Sequence, residues 1–99
     1  MNNARRKRIA DIIKQLDALK DQVAELEELK SEIEELQTDE QEGFDNLPEG
    51  LQQADKGQRM EQAAESLGEA ATQMDDLISS ATEAIEEVLT PLRAASGEG

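Results

Sequence analysis

From residue 60 to residue 92, apolar side chains recur in unbroken alternating steps of four and three. They are Met60, Ala64, Leu67, Ala71, Met74, Ile78, Ala81, Ile85, Val88 and Leu92. That is the period at which an α-helix keeps one seam turned toward a partner helix. Ala63, Ala70, Leu77 and Ala84 add a third apolar column beside the seam, which suits a helix with neighbours on two sides, as in a bundle. One helix cannot bury such a stripe by itself, so the remainder of the chain is read as what covers it.

The chain has 99 residues, enough for one domain at most. Phe44 is the only aromatic, and Cys, His, Trp and Tyr are absent. With 36% apolar residues, the chain can build thin helix-to-helix seams but no large globular core, and such chains commonly gain stability by oligomerising. The formal charge of −14 is that of many disordered chains, but the regular periodicity argues for helices over most of the length. Without cysteine there are no disulfides and no thiol chemistry, which fits a reducing compartment. No run approaches the roughly 18 apolar residues of a membrane span. The basic start Arg5-Arg6-Lys7-Arg8 leads into Ile9-Ala10-Asp11 and not into the apolar core of a signal peptide. The expectation is a soluble, cytoplasmic protein.

Asn2 or Asn3 is suited to cap a first helix over about 4–42. Its seam is expected to be Ile9, Ile12, Leu16, Leu19, Val23, Leu26, Leu29, Ile33 and Leu36, with Ile13 widening the stripe. Two steps of three meet at Leu26, a stammer that overwinds a coiled coil locally. The segment 43–57 holds Gly43, Gly50, Gly57 and Pro48 and reads as the connector. Asn46-Leu47-Pro48-Glu49 resembles a capping box for a short helix near 48–53, and Asp55-x-x-Gln58 offers a second one for the helix that follows. Phe44, Leu47 and Leu51 are spaced to plug the turn. The last helix is expected over about 58–90, ending near Pro91, with 94–99 as a disordered tail.

These elements make a single all-α domain over 1–93, a long antiparallel helical hairpin of coiled-coil type. In that hairpin Arg5 to Arg8 are expected beside Glu83, Glu86 and Glu87, offsetting an unfavourable charge order along the helix dipole. The leftover third column predicts that two hairpins pair into a homodimeric four-helix bundle. A domain-swapped dimer with one continuous helix would bury the same seams.

The residues offer little for catalysis. The common general base and the thiol nucleophile are missing, and the acids and glycines of 39–50 lack calcium-loop spacing. No glycine-rich phosphate loop occurs. The reading is therefore a non-enzyme without metal or cofactor.

The strongest signal is acidic. Between residues 21 and 49 there are twelve acids and one base, Lys30. Asp21, Glu25, Glu28, Glu32, Glu35, Asp39 and Glu42 fall at steps of four and three, one continuous stripe roughly 32 Å long. Like charges at that spacing weaken an isolated helix. Their separation along the axis, roughly 5 Å, approaches the roughly 3.4 Å spacing of phosphates along one nucleic-acid strand. The stripe is either a solvated face that keeps a thin bundle in solution or a face for a basic partner. The candidate partner-binding residues are Glu25, Glu28, Glu32, Glu35, Asp39 and Glu42. The bases Arg5 to Arg8, without aromatics and in so acidic a chain, make a poor case for direct nucleic-acid or membrane binding.

The segment Glu40-Gln41-Glu42-Gly43-Phe44-Asp45-Asn46-Leu47-Pro48-Glu49-Gly50-Leu51-Gln52, preceded by Met1-Asn2-Asn3-Ala4-Arg5-Arg6-Lys7-Arg8-Ile9 and a Leu/Glu-rich helix, resembles small helical proteins of bacteriophages and prophages. Arg59-Met60-Glu61-x-Ala63 and the alanine-rich helix fit the same pattern, and the resemblance spans about residues 1–88. It brings no assigned activity; it implies a small accessory phage protein acting inside a bacterial cell. The leading expectation is a protein that blocks a host defence or nucleic-acid-handling factor by presenting phosphate-like charge. The alternative is a structural or assembly adaptor of a phage, its seams and Phe44-Leu47-Leu51 cap engaging the partner and its acids serving only solubility.

Overall fold

The computed structural model describes residues 2–97. They form three helices: α1 (Asn3–Asp45), α2 (Glu49–Gln52) and α3 (Asp55–Ser96). The chain is all-α, with no strand among the described residues. Contacts divide it into two compact units. One joins Met1–Leu26 to Leu77–Gly99, and the other is Glu27–Asp76. The division is natural for a two-helix pairing, because each residue meets only the residues level with it.

Within each unit α1 and α3 run antiparallel. In the first, Lys20 pairs with Glu86 and Asp17 with Arg93; in the second, Lys30 pairs with Asp75, and Gly68 sits against Gln37 and Gly43 against Met60. As α1 positions rise, their α3 partners fall. This is the expected helical hairpin.

The α3 seam follows the heptads for most of its length. Ala64, Ala71, Ile78 and Ile85 are buried, and Met60, Leu67, Met74 and Ala81 are half-buried. The pattern then changes phase: Val88, expected inward, is 49% exposed, while Leu89 is fully buried. A seven-residue repeat falls about 20° short of two turns of an undistorted helix, and eighteen residues complete five turns. Leu89 therefore stands in line with Ala71, eighteen residues earlier, and displaces Val88 from the seam. Thr82 also turns partly inward, its hydroxyl satisfied by donating to Ile78 O at 2.7 Å.

The α1 seam departs further from expectation. Ile13 and Val23 are buried and Ile9, Leu16, Leu26 and Ile33 half-buried, but Ile12, Leu19, Leu29 and Leu36 are 45–54% exposed. Their places are taken by Ile13, Lys20, Lys30 and Gln37, each one residue later. One partner helix covers only two columns of a three-column stripe. The columns chosen let Lys20 and Lys30 lay their methylenes on the seam and carry their amines to Glu86 and Asp75. Inward residues now step from Lys20 to Val23 to Leu26, so two threes still meet, one step earlier than predicted.

Helix ends also differ from the sequence expectation. Asn2 caps α1 as foreseen, its Oδ1 accepting from the Arg5 N–H at 2.9 Å. The helix continues past residue 42 to Asp45. At α2 the Asn46 capping box does not form. No side chain caps it, and the Pro48 carbonyl accepts from the Leu51 and Gln52 N–H groups at 2.8 and 3.1 Å. Gln52 instead turns back on α1, its Nε2 donating to Phe44 O at 3.1 Å. Gln58 likewise donates to Gln53 O at 3.3 Å and forms no box with Asp55, which already lies in the first turn of α3. There its charge suits the positive end of the helix dipole. Phe44 and Leu47 are half-buried at the turn, whereas Leu51 remains 50% exposed.

Pro91 does not end α3; it lies inside the helix. Burial of Leu89, half-burial of Leu92 and the pairing of Arg93 with Asp17 hold the last turns in place. Thus 94–96, expected in a disordered tail, are helical, and Gly97 closes the helix at φ 84°. The remainder of that expected tail, Glu98 and Gly99, lies outside the described residues.

Candidate interaction surfaces

Glu25, Glu28, Glu32, Glu35, Asp39 and Glu42 are all exposed on α1, Glu25 in the first unit and the other five in the second. Glu25, Glu32 and Asp39 stand one residue before the inward positions Leu26, Ile33 and Glu40. Glu28, Glu35 and Glu42 stand two residues before Lys30, Gln37 and Phe44, further round the back of the helix. None of the six makes an ion pair among the described residues. Lys30, the one base in their stretch, is taken by Asp75 with Nζ to Oδ1 at 3.1 Å. That hydrogen bond raises the amine above its ordinary pKa, opposed by desolvation and reinforced by the charges of Asp75, Glu27 and Glu34. The ridge therefore has no internal counter-charge among the described residues.

Each unit also has two unlike faces. Residues that follow a seam position by one meet across the pair: Asp17 and Arg93, with Glu86 reached by Lys20, in the first unit, and Asp75 reached by Lys30 in the second. Arg93 bridges Asp17 and Glu86, at 3.1 and 3.8 Å. Residues that precede a seam position by one must then lie on the opposite face. In the first unit these include Ile12, Leu19, Leu77 and Val88, each 45–52% exposed, with Ala84 exposed beside them. In the second they are Leu29 and Leu36 on α1, bordered by Glu32 and Asp39, and Ala63 and Ala70 on α3.

The basic cluster is not placed as the sequence suggested. Glu86 is held by Lys20 and Arg93, and no ion pair of Arg5, Arg6, Lys7 or Arg8 occurs among the described residues. The register is the reason: with Lys20 opposite Glu86, residues a dozen or more positions earlier on α1 fall level with the far end of α3. Arg5 and Arg8 instead line a shallow hollow with Ile9 and Ile12.

No helix among the described residues is long and apolar enough to cross a membrane, and no cluster of three or more potential metal ligands occurs among them. Comparison with protein families, characterised proteins and solved structures gives no match for this chain.

The acidic ridge was visible as a stripe of charges. The two-faced cross-section was not, although the apolar columns Ile12/Leu19 and Leu29/Leu36 were. Which column faces the partner depends on the phase of the other helix, and no residue pattern within α1 records it.

Proposed function

We propose that this chain is a non-catalytic interaction module whose acidic α1 ridge binds a basic surface on another protein. Glu25, Glu28, Glu32, Glu35, Asp39 and Glu42 provide the contact by imitating the charge of a phosphate backbone. The observation that carries this reading is that all six carboxylates are exposed with no counter-charge among the described residues. Like charges held at helical spacing destabilise their own helix, and a basic partner relieves that cost. The resemblance to phage and prophage helical proteins supports a setting inside a bacterial cell, and the phosphate-like spacing of the acids supports a target that handles nucleic acid.

Tagged protein is used to capture partners from bacterial lysate, with elution by a rising salt gradient. The expected result is a basic nucleic-acid-handling or defence protein that leaves at moderate salt, as screened exposed charges require. Its capture must disappear in the Glu28→Lys/Glu32→Lys/Glu35→Lys variant while helicity is retained. Capture undiminished by those changes overturns the reading.

A second reading is favoured by Leu29 and Leu36, large apolar side chains exposed beside the ridge. In it the chain is an assembly adaptor of phage particles, held to its partner by apolar contact. Complexes of that kind persist through high salt and tolerate the lysine substitutions.

A further inference from the structure

We infer that the apolar face of the first unit is the docking surface for a second copy of this chain. The inference is independent of the acidic ridge. Ile12, Leu19, Leu77 and Val88 are each about half exposed on one face of the α1–α3 pair, opposite the Asp17–Arg93 ion pair. Exposed apolar groups gathered in this way mark a contact surface.

Charge indicates which partner. The chain carries 24 acids, yet the face has none along α1 from Ile12 through Gln15 and Leu19 to Gln22. It has none along α3 from Leu77 through Ala84 to Val88, each of these positions preceding a seam residue. Asp11, Glu25 and Glu87 stand at its borders, and Arg8 lies beside Ile12 at its end. Its apolar columns give no attraction to a charged partner, whereas two copies at −14 each can approach most closely through columns free of acid. Such a face is self-complementary, as a twofold contact demands: apolar columns meet apolar columns, and the amides of Gln15 and Gln22 can pair with each other.

Size indicates the strength. Some 15–17 Å of two adjacent helices, each about 10 Å across, gives a footprint of about 300 Å², well under half of the roughly 800 Å² each partner contributes to a standard interface. The dimer is accordingly reversible and dissociates on dilution. Because it forms against like charge, added salt strengthens it, the opposite of a contact made through the ridge.

Sedimentation of the full chain between about 10 µM and about 1 mM tests this. The expected result is a monomer–dimer equilibrium that shifts toward dimer as salt rises. Gln15→Glu/Gln22→Glu, which places acids in the face without removing any packing, weakens the dimer by about tenfold or more. Leu19→Lys/Val88→Lys abolishes it, while Glu28→Lys, on the ridge, leaves the salt-strengthened dimer in place. Unchanged helicity of the Gln15→Glu/Gln22→Glu variant separates loss of contact from loss of fold. A wild-type chain that stays monomeric throughout, one that forms larger oligomers, or a dimer indifferent to the two glutamates overturns the inference.

Discussion

The Arg93 guanidinium donates to Asp17 Oδ1 at 3.1 Å across 76 positions of sequence, and the same guanidinium lies 3.8 Å from Glu86. Both pairs stand on one face of the first unit, with side chains a little over a third to about half exposed. Their worth is therefore in alignment more than in stability. An exposed pair contributes about 0.2–1 kcal/mol, but a slip of α1 along α3 would separate Arg93 from both carboxylates at once.

A double-mutant cycle on this pair should show it. Asp17→Ala and Arg93→Ala are each expected to lower urea stability by less than about 1 kcal/mol, with a coupling of a few tenths that fades in high salt. The exchanged pair Asp17→Arg/Arg93→Asp should recover part of the loss. No coupling at low salt would show that the pair does not hold the register.

Gly57 and Gly50 should respond in opposite ways to alanine. A Cβ on Gly57 would meet Gln52 O at 2.4 Å and Leu51 O at 2.5 Å, backbone atoms of the neighbouring turn that cannot step aside. Gly57→Ala is expected to cost about 1–3 kcal/mol. Gly50 has open space where its Cβ would be, so Gly50→Ala should be neutral or stabilise by up to about 1 kcal/mol through the unfolded chain. Urea unfolding of the two variants in parallel measures the contrast.

Leu89 and Val88 offer a sharper comparison, because they are adjacent and the heptad chooses the wrong one. Leu89→Ala removes a fully buried side chain and is expected to cost about 2–5 kcal/mol. Val88→Ala, measured at low protein concentration, should change stability by less than about 1 kcal/mol, since the side chain is half exposed. Equal losses at the two positions would mean that the seam keeps its seven-residue phase to the end of α3.

Acid and alkali should act on different units. The Glu86 carboxyl is held below the usual carboxylate range by the hydrogen bond from Lys20 and by that amine's charge, against desolvation, with a smaller contribution from Arg93. A lowered folded pKa stabilises above the unfolded value, and the benefit disappears as pH falls through the folded one. For Lys30, raised by Asp75, the benefit is complete below the free amine's pKa and disappears as pH rises through the higher folded value. The stability difference between wild type and Lys20→Met should therefore shrink from neutral pH toward about pH 2, and that between wild type and Lys30→Met should shrink in strong alkali. Thermal unfolding across pH follows both.

Much of the fold could be read from residue spacing because a two-helix seam is a local pattern repeated many times. Ala64, Ala71, Ile78 and Ile85 are inward for the reason their spacing implies, and the glycines and Pro48 announce the turn. What spacing could not convey was phase. Ile12 and Ile13 are equally apolar, and the choice between their columns follows the phase of α3, the one in which Lys20 and Lys30 reach Glu86 and Asp75. Pro91 was misjudged because the local cost of proline in a helix is overridden by Leu89 and Leu92 packing around it. The six ridge acids lie on the exposed side as their spacing suggested. Their lack of counter-charge depended on where Lys30 went, which is a tertiary matter.

The division into two units carries a consequence for assembly. The unit Glu27–Asp76 is one uninterrupted segment with its own turn, so it can close using only its own residues. The other joins Met1–Leu26 to Leu77–Gly99, which the whole of Glu27–Asp76 separates in sequence. Bringing those segments together unaided means closing a long loop, and the entropic cost of closure rises with loop length. Folding of the continuous segment first shortens the loop that the other unit must close. The order of assembly is thereby nested, inside before outside.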